Sequence, residues 1–361
     1  MVLKVSMPRP TLPERENGTY FILPKAGEPP QAGAQPSAWR MVAKINPAYL
    51  EFCKTARTSF KPMNILLSGW GGGMVFLCML PVAIAAWNKS PPIPLFDSAF
   101  LSLVPLLALI VATFIPLHQL RKPQSPILLS RHLRRFYQWQ GKQKGWAALD
   151  YDQVVPFVTR LTVVSTAGTS TSFFLDVGVF EPGTRKLTQF IRLSDPANIV
   201  AAPAELWEFV RAYMDGPASK VPPIEYRVPE GQEHGIHARL DRDMIGGLVD
   251  REHRLRPGLF PIAYFGMSAA IGYWADRMIP WLERRMPRPA LPPDLIEAMS
   301  WEGDNPYRIT PPSAIEQRAI DGKLPYMNRR WFIGMTLSTL LWGGSFVVIA
   351  SLGWNYLLSG S

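Results

Sequence analysis

Residues 63 to 87, MNILLSGWGGGMVFLCMLPVAIAAW, run for 25 residues without a charged side chain. As a helix rising 1.5 Å per residue, such a run is longer than the roughly 30 Å of hydrocarbon in a bilayer. A water-soluble fold has little use for it, so lipid is the expected solvent for part of this chain. Composition agrees: hydrophobic residues make up 47% and charged residues only 18%, against roughly 25% charged in a typical soluble domain.

A second uncharged run, SAFLSLVPLLALIVATFIPL at 98 to 117, follows the short loop NKSPPIPLFD and reads as the return helix of a hairpin. Its Pro105 and Pro116 are tolerable, because a spanning helix can satisfy the freed carbonyls locally or against a neighbour. A third run, WFIGMTLSTLLWGGSFVVIASLGWNYLL at 331 to 358, carries aromatic residues at both ends. The pattern predicts a transmembrane hairpin over 63–118 and one C-terminal transmembrane helix over 331–358.

Lysine and arginine near the ends of spans mark the cytoplasmic side. Lys54, Arg57 and Lys61 precede the first run, and RKPQSPILLSRHLRRFYQWQGKQK (121 to 144) follows the second with seven basic residues and no carboxylate. Lys323, Arg329 and Arg330 precede the third, whereas the loop within the hairpin has only Lys89. The N-terminus and the long 118–330 segment are therefore expected in the cytoplasm. PGLFPIAYFGMSAAIGYW at 257 to 274 is also uncharged, but it is short, opens on two prolines and is followed by Arg277, Arg284, Arg285 and Arg288. An interfacial or re-entrant helix is the expected form. A fourth span would move 275–330 to the other compartment.

Residues 1–60, rich in Pro and Gly, read as an irregular cytoplasmic arm with a short ordered piece around NPAYLEFC. From about 126 to 194, runs rich in Val, Thr, Phe and Tyr alternate with turn signals, and FFLDVGVFEPGTRKLTQFIRL predicts an antiparallel hairpin. In PAELWEFVRAYMDGP, residues Leu206, Phe209, Val210, Tyr213 and Met214 form one helical stripe, ended by Gly216 and Pro217. A helix with one apolar face needs a sheet to cover. Residues 119–217 thus read as an antiparallel β domain capped by a helix, analogous to the pleckstrin-homology-like architecture, with a helical, Pro-rich, partly interfacial segment over 218–330.

LWEFVRAYMDGP, LFP, the Trp-rich basic segment, RPALPPDLIEAM, GDNPYR and the last span follow one another in an order that resembles an uncharacterised family of proteobacterial inner-membrane proteins. Members of that family are often encoded beside type VI secretion effectors. The likeness covers about residues 60 to 330. It implies an immunity or accessory protein in a bacterial inner membrane, with a secreted effector or secretion component as partner, and it carries over no catalytic residue.

Candidate chemistry is sparse. His234 and His237 in HGIH, His253 in DREHR, and nearby Asp241, Asp243 and Asp250 have metal-ligating side chains. Their spacing matches no established zinc pattern, and Gly235 loosens the register. Asp150 and Asp152 in LDYDQ suit Mg²⁺ by type, but read more simply as the polar face of a strand. No P-loop, G-x-S-x-G elbow or dinucleotide fingerprint occurs. Gly69 and Gly73 in SGWGGG have the small-xxx-small spacing that allows close helix packing, and with it an oligomer through the first span. Cys53 and Cys78 are expected to be reduced, and no signal peptide is expected.

The expected function is therefore a membrane-anchored, non-enzymatic protein-binding module whose partners are the bilayer and another protein. No cofactor, metal, catalytic residue or nucleic acid is assigned to it. In the basic run, alternation leaves neither strand face cleanly basic, which argues against nucleic acid. The alternatives are a membrane-tethered hydrolase or metal enzyme using His234, His237 or His253, and a lipid or small-molecule sensor.

Overall fold

The computed structural model describes residues 20–52, 55–87, 95–121, 126–165, 168–181, 187–226 and 235–359. His234, Lys54, Lys122 and most of the loop within the hairpin lie outside them. In chain order come β1 (Tyr20–Ile22), β2 (Val42–Ile45), β3 (Tyr49–Phe52), α1 (Thr55–Trp87) and α2 (Leu95–Arg121). Next are β4 (Ile127–Ser130), β5 (Arg135–Trp139), β6 (Trp146–Asp150), β7 (Val155–Ser165), β8 (Gly168–Phe180) and β9 (Leu187–Arg192). Then follow α3 (Ala201–Asp215), β10 (Ile224–Glu225), α4 (Ile236–Asp243), α5 (Leu259–Arg277), α6 (Ile279–Arg285) and α7 (Pro293–Met299). The chain ends with β11 (Ile309–Thr310), α8 (Ala314–Ile320), α9 (Pro325–Thr339) and α10 (Ser345–Ser359), the last two joined by a π-helical turn over Leu340–Gly344. These elements fall into two compact units.

The first unit comprises residues 1–56, 124–227 and 288–311. It holds two antiparallel sheets, β2-β3-β4-β5-β6 and β1-β7-β8-β9, and a small parallel pair, β10 with β11. Both sheets and α3 contribute to one core. Leu50, Phe52, Leu129 and Phe136 come from one sheet, Val158, Leu175, Val177 and Ile191 from the other, and Leu206, Trp207, Phe209, Val210 and Tyr213 from α3. The whole predicted stripe of α3 is buried, and the β8–β9 hairpin is antiparallel with Asp176 opposite Arg192.

The arm expected to be irregular contributes β1, β2 and β3. These strands have three or four residues each, too short to show a period against Pro and Gly. Asn46 makes the β2–β3 turn by accepting the N–H groups of Ala48 and Tyr49 at 2.9 and 2.8 Å. Residues 288–311, expected with the helical segment, belong to the β unit instead. Leu295 of α7, with Leu291 and Met299, covers Leu128 and Tyr137 on the second face of the five-stranded sheet. A sheet covered on both faces loses its apolar–polar alternation, which is why all four residues of β4 are buried.

The second unit comprises residues 57–123, 228–287 and 312–361. Among its described residues, three helices are long and apolar enough to cross a bilayer, over Pro62–Ile84, Leu103–Arg121 and Pro325–Leu352. Helices α1 and α2 approach closely at Gly72, where an added Cβ would lie 2.7 Å from the Ala108 carbonyl oxygen and 2.8 Å from the Ala112 Cβ. Close packing of α1 on α2 thus falls at Gly72, beside the Gly69 and Gly73 pair. Gly69 faces open space, and Gly73 makes only an ordinary contact with Phe346. The third of these helices lies alongside α1: the Trp70 indole donates to the Trp342 carbonyl at 2.8 Å and meets its ring edge-on at 5.1 Å.

Helix α5 is not among the three spanning candidates. It runs parallel to α9, with Phe265 edge-on to Trp331 and the Trp274 indole donating to Thr339 Oγ1 at 3.1 Å. The Trp342 indole donates to the Ile271 carbonyl at 3.2 Å. Ala269 fits beside Gly334, where an added Cβ would come within 3.0 Å of the Ala269 Cβ.

Candidate functional site

The second unit gathers its polar side chains at the start of the third span. Helix α4 presents Asp241 and Arg242, α8 presents Glu316, and α9 presents Arg330 and Trp331. The turn between α4 and α5 presents His253. Asp250 shapes that turn: its Oδ1 accepts the N–H groups of Glu252 and Arg254, both at 2.9 Å, and Val249 bridges to Leu255. His253 itself takes φ 59°, an unusual backbone for a residue with a Cβ.

His253 is clamped between two carboxylates. Its Nδ1 bonds Asp241 Oδ2 at 3.0 Å, and its Nε2 bonds Glu316 Oε2. The Asp241 side chain has no exposed surface, and its other oxygen accepts from the Trp331 indole at 2.6 Å and from the Arg330 guanidinium. Arg330 also donates to the His253 carbonyl at 2.9 Å, and Arg242 pairs with the second Glu316 oxygen. The bonds to Asp241 and Glu316 raise the His253 pKa to about 9, against the cost of burial. Burial works against the Glu316 charge, but the His253 and Arg242 bonds outweigh it and hold that carboxyl below its ordinary range.

An imidazolium that donates through both nitrogens has no lone pair to offer a metal or a substrate proton. Of the three candidate histidines, His234 lies outside the described residues. His237 stacks on Trp331 at 6.1 Å with its Nδ1 3.3 Å from Asn328 Oδ1, and burial lowers its pKa. Asp250 is spent on its turn. No group of three metal-ligating side chains comes together among the described residues.

A second, partly buried cluster lies on another face of α4. Arg239 binds Glu283 of α6 through two bonds of 2.6 and 3.2 Å and lies 3.6 Å from Asp243. Asp276 of α5 is pushed up to about 7 by burial and by the Asp243 charge, with Arg239 opposing.

In the first unit, Asp152 accepts both nitrogens of a bidentate Arg134 at 2.6 and 2.7 Å, and that bond lowers its pKa. Arg134 also reaches Asp215, whose other oxygen accepts from the buried Tyr151 hydroxyl at 2.7 Å. Arg131 donates to the Gly216 carbonyl at 2.8 Å and to the Tyr307 hydroxyl at 2.5 Å. Two arginines of the basic run therefore bind the protein itself. Sequence reasoning singled out His253 and Asp241 but missed Glu316 and Arg330, which lie 63 and 89 residues from their partners. The one local signal for Arg330 is a charge at the mouth of an apolar run.

Comparison with protein-family models, with curated proteins and with solved structures finds no match to this chain.

Proposed function

We propose that this protein is a non-enzymatic, membrane-anchored module that displays its β unit to a protein partner. One observation carries the reading: the charged residues with chemical potential are spent on internal bonds. His253, Asp241, Glu316, Asp152 and Arg134 each hold one part of the fold to another, and Asp250 holds its own turn. Three apolar helices supply the anchor.

The anchor has three spans, with the β unit on a single side. Residues 288–311 support this, because they pack with elements from before and after the hairpin: Asn305 donates to the Ile45 carbonyl of β2 at 2.8 Å, and Tyr307 meets Tyr213 of α3 at 5.3 Å. A segment sharing that core must return to the side on which the core lies, so α5 dips into the bilayer surface rather than crossing once. The basic residues at the span ends put that side in the cytoplasm of a bacterial inner membrane. Two sheets closed by α3 are in keeping with a pleckstrin-homology-like scaffold, used here as a binding platform.

The partner, on the strength of the family resemblance, is a type VI secretion effector or a component of the secretion machinery, with this chain as its immunity or accessory protein. Affinity capture with the full-length protein in detergent, challenged with the products of adjacent genes, tests this reading. Stoichiometric retention of one of them is expected, and failure to retain any contradicts it.

A further inference from the structure

The turn between β5 and β6 carries Lys142 and Lys144, both exposed, in the sequence WQGKQKGW. Trp139 and Trp146 face each other across the strands at its base, 5.9 Å apart with rings inclined at 65°. Both indoles are half-buried, and Trp146 is fixed by donating to the Ala290 carbonyl at 2.7 Å. Gly141 and Gly145 take φ 112° and 67°, which lets the loop turn sharply and project its lysines. No carboxylate occurs between Arg135 and Trp146.

The register of the sheet places this turn. Ile127 pairs with Gln138, and Phe52 pairs with Ile127. The β5–β6 turn therefore lies at the end of the sheet where β3 finishes and β4 begins. At that end the chain passes to and from its membrane helices. Two residues separate Phe52 from α1, and five separate Arg121 at the end of α2 from Ile127. Fully extended, those links reach about 11 Å and about 21 Å. Two short tethers thus join adjacent strands at this end of the sheet to α1 and α2.

We propose that the β5–β6 turn docks on the anionic headgroups of the bilayer that holds the protein's own helices. Lys142 and Lys144 meet lipid phosphate, and the Trp139 and Trp146 indoles sit at headgroup level. Lysine is attracted by the negative potential of an anionic leaflet. The Trp146 N–H is spent on Ala290 and the Trp139 N–H is buried, so it is the exposed apolar ring surface that the two indoles bring to the boundary between hydrocarbon and water. The contact fixes the orientation of the β unit over the membrane. It rests on the membrane-anchored reading but not on the identity of the protein partner.

The test uses the full chain with Cys53→Ser and Cys78→Ala, reconstituted into lipid nanodiscs. A fluorophore is placed through Gln143→Cys in the turn or, as control, through His132→Cys at the opposite end of the same sheet. Quenching by nitroxide-headgroup lipid reads proximity to the surface. In discs containing phosphatidylglycerol, the label at 143 should be quenched strongly and the label at 132 weakly. Neutralising each lysine, by Lys142→Gln and Lys144→Gln, should lower the docked-to-free ratio about five-fold. Purely zwitterionic discs should abolish the difference between positions. Equal quenching at 143 and 132 in anionic discs, or quenching at 143 indifferent to the lysines, overturns docking while leaving the anchor intact. A protein that does not enter discs at all overturns the anchor, and the docking with it.

Discussion

The His253 imidazole bonds, through Nδ1 at 3.0 Å, a carboxylate of Asp241 that has no exposed surface. Glu316 takes the other ring nitrogen and Arg330 the other Asp241 oxygen, so one imidazolium ties the 249–256 turn to α4, α8 and the start of the third span. Breaking a buried charge pair strands the charge that remains. His253→Gln should destabilise the protein by about 3 kcal/mol, read as an earlier thermal unfolding in detergent at pH 7.

The same group sets a pH dependence. His253 is held at about 9 in the fold against an ordinary 6.5. A raised pKa means that the folded state binds the proton more tightly, so the contribution is complete below about 6.5 and is lost as pH rises through about 9. Thermal unfolding followed from pH 6 to 10 should show stability falling across that window. In His253→Gln this component of the slope should disappear.

Asp276 works in the opposite sense. Its carboxyl titrates at about 7 in the fold and at an ordinary 3.8 when exposed, so ionisation costs stability progressively as pH rises from about 4 through 7. Asp276→Asn should raise the unfolding temperature at pH 8 and change it little at pH 4. Equal effects at both pH values would mean that the Asp276 charge is not the cause.

The α1–α2 hairpin closes on Gly72, where the nearest obstacle is α2 backbone. A methyl group there must push the helices apart, at about 1 to 3 kcal/mol. Gly72→Ala should therefore weaken the detergent-solubilised protein. Gly71→Ala, with nothing within 4 Å, should not.

Much of this fold is legible in the sequence wherever the signal is local. Uncharged runs mark the three described helices long and apolar enough to cross a bilayer, the stripe Leu206, Phe209, Val210, Tyr213 marks α3, and paired apolar runs mark β8 and β9. Signals fail where a partner is distant. β2 and β3 gain their place from β4, across the whole membrane hairpin. Tyr137 is buried only because Leu295 returns to cover it. The His253 cluster draws on residues spread from 241 to 330, and no spacing rule connects them. Gly72 lies one residue from the predicted Gly73, a step of about 100° round the helix, and periodicity alone does not choose between neighbouring glycines.

The proposed three-span anchor leaves the β unit on one side of the membrane. Compartment-sensitive reporters fused after Glu225 and after Thr310 bracket the segment that contains α5. Both should report the cytoplasm, because the residues on either side of that segment pair as β10 and β11 in one folded unit. Reporters in opposite compartments would make α5 a crossing helix and contradict the account.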